Sequence, residues 1–114
     1  MRPVCFDKNI LFVCSENKLR SVTAEIVFSD HPRINAIGGG TNSDAETNVT
    51  GDLIEWADVI LVMEKTHKNN IATKFHDLLK GKKIAVLDVP DNYDVMDEEL
   101  VKILKRKVPR YVQI

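Results

Sequence analysis

Apolar residues in this chain gather in short runs of two kinds. Ile10-Leu11-Phe12-Val13, the stretch Val59 to Met63 behind Asp58, and the stretch from Lys83 to Leu87 are nearly continuous. They are too short for helices and rich in residues that favour strands, as strands buried on both faces of a parallel sheet are. A further strand is expected over 33–37. Between the runs the apolar positions fall at helical spacing. The pattern predicts a helix over 21–28, with Val22 and Ile26 on its apolar stripe, Ser21 as its cap, and Ala24 and Glu25 as helix formers inside. Pro32 ends it. Thr50 is expected to cap a short helix over 51–56. A longer one is expected over 65–79, closed by Gly81. A last helix starts at Asp97 or Glu98, runs through Val101 and Leu104, and is interrupted by Pro109. Gly38-Gly39-Gly40 marks a turn or a tight backbone approach. Residues 41–48 form a polar stretch without an aromatic side chain, and 88–97 form a loop holding Pro90.

Strands alternating with helices imply a parallel sheet with helices on both faces, a three-layer α/β architecture. Crossovers in such sheets are right-handed almost without exception. Ligands bind beyond the carboxyl ends of the strands, where the strand order reverses. Cys14 and Asp91 each follow a predicted strand, so both are expected at that edge.

Composition narrows the picture. The 114 residues suit one domain, 1–114, with a modest core and no repeat or linker. A formal net charge of −1 gives no general attraction to nucleic acid or anionic membrane. The basic residues Lys102, Lys105, Arg106, Lys107 and Arg110 read as a solvated helix face. No apolar run approaches the ~20 residues of a membrane helix. Two cysteines, Cys5 and Cys14, make neither a disulfide framework nor a zinc site, and Cys5 reads as a small apolar residue. His31, His67 and His76 lack ligand spacing and read as surface or capping residues, and Trp56 as core. A cytoplasmic location, where thiols stay reduced, is the expectation.

The chemistry concentrates in Cys14-Ser15-Glu16-Asn17-Lys18-Leu19-Arg20-Ser21, between a buried strand and a helix start. A loop so placed aims successive backbone N–H groups at one point, and the helix dipole adds partial positive charge. That nest suits a phosphate dianion. The same field favours a thiolate, the form of cysteine that attacks phosphorus. The planar fork of Arg20 can grip two phosphate oxygens in a way lysine cannot. Ser21 can donate a hydrogen bond to the sulfur as it leaves, and Asn17 can adopt the left-handed backbone that holds such a loop open.

The stretch from Ile10 to Glu25 resembles the signature of the low-molecular-weight protein tyrosine phosphatases: a cysteine, five residues, then Arg-Ser, early in the chain after the first strand. Asn17 and the pair Ala24-Glu25 match further positions of that signature. An apolar strand ending in Met63 and Glu64, behind a short helix, is a second match, and Asp91-Asn92-Tyr93 is similar to the family's late Asp-Pro-Tyr. The resemblance implies that Cys14 is the nucleophile, that Arg20 clamps the transition state, and that Asp91 is the general acid. Asp91 would protonate the leaving phenolate and then activate water against phosphocysteine. Asp88, Asp94 and Asp97 compete for that role. Ser15, Glu16, Asn17, Lys18, Leu19 and Ser21 would hold the phosphate, with Tyr93 as a wall against an aromatic substrate ring.

The chain also departs from the family. It is shorter than usual members. Leu19 stands where they carry a second loop cysteine, and Val22 where they carry proline. Gly38-Gly39-Gly40 replaces a Ser-Ala-Gly turn, which removes the serine that buttresses the loop asparagine. Thr41 to Asn48 lacks the aromatic wall of animal members.

Three rivals remain at this stage. A thioredoxin-coupled arsenate reductase needs two later cysteines, which are missing. A phosphocysteine carrier of the sugar-transport type needs neither the loop arginine nor an acid. A phosphate- or phosphopeptide-binding module would keep the loop with little turnover. The expectation is a flavodoxin-like domain with four parallel strands in the order 2-1-3-4. It would hydrolyse phosphate monoesters without metal or cofactor. Its substrate would be a phosphotyrosine protein or a small aryl phosphate, and it would be a monomer or weak dimer.

Overall fold

The computed structural model describes residues 8–14, 20–29, 34–40, 48–89 and 96–111. Four strands, β1 (Lys8–Cys14), β2 (Ile34–Gly40), β3 (Val59–Val62) and β4 (Lys83–Val86), form one sheet in the order β2-β1-β3-β4. All three pairings are parallel, with Cys14 opposite Gly40, Val13 opposite Val62, and Val62 opposite Val86. The parallel direction expected from the alternating pattern and the 2-1-3-4 order expected of a flavodoxin-like domain are both observed. The order reverses beside β1, so the carboxyl end of β1 is the switch point where such sheets bind ligands.

The sheet divides two apolar layers. Side chains alternate along a strand, so Ile10, Phe12 and Cys14 face one side of β1 while Leu11 and Val13 face the other. The first face packs against α1 (Arg20–Ser29) and α4 (Glu98–Lys107), through Ala24, Phe28, Leu100 and Leu104. The second packs against α2 (Gly51–Trp56) and α3 (Lys65–Lys74), through Ile54 and Ile71, with Trp56 half-buried at its margin. Phe12 and Phe28 stack with ring centroids 5.7 Å apart and tie α1 to the central strand.

Local signals set most of the element ends. Thr50 caps α2, its Oγ1 accepting the Leu53 N–H at 3.3 Å. Asp97 caps α4 by accepting the Glu99 N–H at 2.8 Å. His67 is buried and acts in a cap: its Nδ1 accepts the Glu64 N–H at 3.1 Å, in a capping box at the start of α3. Gly81, with φ of 78°, closes the turn before β4 in a conformation that favours glycine.

Three expectations change. Gly38, Gly39 and Gly40 belong to β2 rather than to a turn, because they continue the pairing with Phe12, Val13 and Cys14. At Gly39 the small size serves a tight approach: a Cβ there would stand 2.9 Å from Val49 Cγ2. The helix expected over 65–79 breaks at Phe75 (φ −124°, ψ 30°) into a 3-10 turn, His76–Leu79. The break lets Leu78 and Leu79 join the layer under α2. Ile26 is exposed, since the buried stripe of α1 runs through Thr23, Ala24 and Phe28 instead.

Candidate active site

β1 carries Cys14 to the carboxyl edge of the sheet, where the residue is 3% exposed and packs in the layer of Phe12, Ala24 and Phe28. Arg20 is the first residue of α1, and Ser21 the second. Five residues therefore separate the end of the switch-point strand from the first turn of a ten-residue helix. Those five, Ser15, Glu16, Asn17, Lys18 and Leu19, lie outside the described residues, as do the side chains of Arg20 and Ser21. What the structure fixes is the frame: a buried cysteine at a strand end, and a helix N-terminus carrying Arg20 at the other end of a short connection.

The second half of the frame comes from β4. The Met63 N–H donates to the Val13 carbonyl at 2.9 Å, and the Val89 N–H donates to the Met63 carbonyl at 2.8 Å. This ladder crosses the carboxyl edge from the residue before Cys14 to the residue before Pro90. With a strand spacing of ~4.8 Å, the two ends lie about 10 Å apart. Asp91 and Tyr93 themselves lie outside the described residues, with Asn92 and Asp94. The rival carboxylates can be placed. Asp97 is engaged as the cap of α4, and Asp88 is exposed, next to Val89, with φ of 62°.

Two residues important to this frame escaped the sequence reading. Lys107 was grouped with a solvated basic face. Lys102, Lys105, Arg106 and Arg110 are indeed exposed, but Lys107 is half-buried. Its Nζ donates to the Leu87 and Asp88 carbonyls at 2.8 and 3.0 Å. Thr23, fully buried, accepts the Met96 N–H on its Oγ1 at 2.8 Å. Only the helical offset that places position 107 on the inner side of α4 could have singled out the lysine.

A shallow cavity of about 310 Å³ opens beside this edge, lined by Lys65, Lys68, Asn69, Val86 and Asp88. A second, of about 190 Å³, lies on the β2 side and includes Gly40, Asn48 and Lys74. No described helix is long and apolar enough to cross a membrane.

The fold defined by this sheet and switch-point cysteine is that of the low-molecular-weight phosphatases. The tyrosine phosphatase Wzb from Escherichia coli K30, solved with phosphate, matches at a TM-score of 0.74 and 20% identity, over 93% of this chain and 96% of that one. The YwlE arginine phosphatase from Geobacillus stearothermophilus matches at 0.68 and 21% identity, over 87% and 89%. The low-molecular-weight phosphotyrosine phosphatase VcLMWPTP-2 from Vibrio cholerae O395 matches at 0.62 and 21%, over 86% and 88%. The sequence matches no protein-family model and, at significance, no curated protein.

Proposed function

We propose that the protein is a cysteine-dependent phosphatase. The observation that carries this reading is the delivery of Cys14 to the switch point with Arg20 opening the next helix. A phosphate seated between them meets the positive end of α1. Nearly full-length likeness to Wzb and YwlE, named as a tyrosine and an arginine phosphatase, supports it.

The Cys14 sulfur attacks phosphorus, an S–P bond forms, and the bond from phosphorus to the ester oxygen breaks. Arg20 clamps the equatorial oxygens as charge spreads over them. The Asp91 carboxyl gives its proton to the leaving oxygen. In the second step Asp91, now a carboxylate, takes a proton from water; that water attacks phosphorus, the S–P bond breaks, and inorganic phosphate leaves. Backbone N–H groups from Ser15 to Arg20 hold the phosphate, Ser21 and Asn17 support the loop, and Tyr93 lines the pocket. Phosphotyrosine protein or a small aryl phosphate is the proposed substrate.

The test is steady-state hydrolysis of para-nitrophenyl phosphate from pH 5 to 8, wild type beside Cys14→Ser, without added metal. A phosphotyrosine peptide and a phosphoarginine peptide run in parallel. Turnover that vanishes in Cys14→Ser supports the cysteine phosphatase, and the two peptides decide its substrate. A folded wild type that binds vanadate and turns over none of the three overturns the enzyme and leaves a phosphate-binding module.

A further inference from the structure

We propose that the exposed lysines of α3, Lys65, Lys68 and Lys74, form a docking surface for acidic residues that flank the phosphorylated residue of a protein substrate. The inference rests on the phosphatase reading, with Cys14 marking where the phosphate lands.

The charge of α3 sets it apart. Its sequence, KTHKNNIATK, holds three lysines and neither aspartate nor glutamate. Lys65, Lys68 and Lys74 are all exposed, with Asn69 and Asn70 between them. Lys65 and Lys68 stand at the first and fourth positions of the helix, where the positive end of the dipole favours acids. α2 and α4 follow that preference, with Asp52 in one first turn and Glu98 and Glu99 in the other. The two lysines therefore work against the stability of α3. A local preference broken on an exposed face is the mark of a surface kept for binding.

The course of the helix says what the surface faces. Lys65 and Lys68 line the cavity of about 310 Å³ together with Asp88 and Val86, the last residue of β4. Asn70 and Lys74 line the cavity of about 190 Å³ together with Asn48 and Gly40, the residue paired with Cys14. α3 thus runs from the carboxyl end of β4 toward that of β2. Three strand spacings of ~4.8 Å make about 14 Å, and ten helical residues at ~1.5 Å make about 15 Å, so the helix is long enough to cross. β1 and β3 lie between those two ends, and Cys14 falls within the span. The helix carries cations to both sides of the candidate active site.

Charge complementarity selects the occupant. Among the described residues Asp88 is the one carboxylate lining either cavity, so both stay net positive. An extended peptide advances ~3.3 Å per residue, so acidic residues about two or three places to either side of the phosphorylated one come level with the two ends of α3. Exposed ion pairs are weak one by one; together they act on encounter and on the choice between partners. A small aryl phosphate has no flanking residues and gains nothing from the surface.

The experiment measures kcat/KM for para-nitrophenyl phosphate and for three phosphopeptides of one length, with glutamate, glutamine or lysine at the flanking positions. Each peptide is made with phosphotyrosine and with phosphoarginine. Wild type should prefer the glutamate peptide to the lysine peptide by about 10-fold at low salt. The preference should fade as ionic strength rises from ~0.01 M to ~1 M, which shortens the Debye length from ~30 to ~3 Å. The triple variant Lys65→Gln, Lys68→Gln, Lys74→Gln should lose most of the preference and keep its turnover of para-nitrophenyl phosphate. Lys65→Glu combined with Lys68→Glu should favour the lysine peptide. That double variant should melt no lower than wild type, because it places acids at the positive end of α3. Equal kcat/KM for the three peptides, a preference that survives the triple substitution, or turnover of para-nitrophenyl phosphate alone would overturn the docking surface and leave the phosphatase standing. A wild type that hydrolyses neither para-nitrophenyl phosphate nor any peptide overturns the phosphatase reading, and this inference with it.

Discussion

Glu25 of α1 reaches the edge strand of the sheet: its Oε1 accepts the Gly38 N–H at 2.6 Å. This carboxylate satisfies a main-chain donor on β2, an edge strand of the described sheet. The contact ties the helix that starts at Arg20 to the strand that ends opposite Cys14. Gly38 has no side chain to hold such a helix, so the tie runs from the glutamate to the backbone.

Glu25→Ala should therefore destabilise the fold by about 1.5–3 kcal/mol, the range for a hydrogen bond to a charged group. Glu25→Gln, which keeps an oxygen acceptor but loses the charge, should cost less. Urea unfolding of the three proteins checks both. A Glu25→Ala midpoint equal to wild type would show that the contact contributes nothing in solution.

The close approach at Gly39 makes a sharper case. An added Cβ would meet Val49 Cγ2 at 2.9 Å and Leu11 Cδ1 at an ordinary 3.6 Å. Only Val49 must give way. Gly39→Ala should cost about 1–3 kcal/mol by overpacking. Val49→Ala should remove most of that penalty, so a double-mutant cycle should give a favourable coupling. Additive costs would place the strain elsewhere.

These two positions also show where sequence reading stops. The strands were legible because Ile10 to Val13 and Val59 to Val62 are apolar on both faces, as only the inner strands of a covered parallel sheet can be. Gly38 to Gly40 was not legible as strand, since three glycines in a row carry no period and mark turns as often as close packing. At the site, Cys14 and Arg20 were visible through their fixed spacing around a strand end and a helix start. Thr23 and Lys107 were not. Their partners are the Met96 N–H and two carbonyls far along the chain, and nothing in a threonine or a basic helix announces which main-chain group it will meet.

Phe28 tests how the helix is seated. Its ring stacks on Phe12, two residues before Cys14 on the same face of β1. Phe28→Ala should cost about 3–5 kcal/mol through the lost burial and the cavity left behind. Phe28→Leu, which keeps most of the apolar volume, should cost less. Because α1 carries Arg20, the Leu variant should also lower kcat/KM while leaving Cys14 in place. Unfolding curves and para-nitrophenyl phosphate kinetics separate the two effects. Unaltered kinetics in a measurably destabilised Leu variant would mean that α1 keeps its position without the stack.

Arg20 and Cys14 can be told apart by what each substitution leaves behind. In the proposed mechanism the thiol supplies the electron pair that forms the S–P bond, whereas the backbone nest and the guanidinium hold the phosphate. Cys14→Ser should abolish turnover while inorganic phosphate still binds. Arg20→Lys keeps the charge but loses the planar fork, and with it the paired hydrogen bonds to two oxygens. It should lose about 100-fold or more in kcat, since these contacts tighten as charge develops on the equatorial oxygens. It should also weaken phosphate binding, which Cys14→Ser does not. Isothermal titration with inorganic phosphate beside the kinetics reads both. If Arg20→Lys keeps wild-type turnover, the guanidinium does not grip the transferring group, and the electrostatics of the nest must come from the backbone and α1 alone.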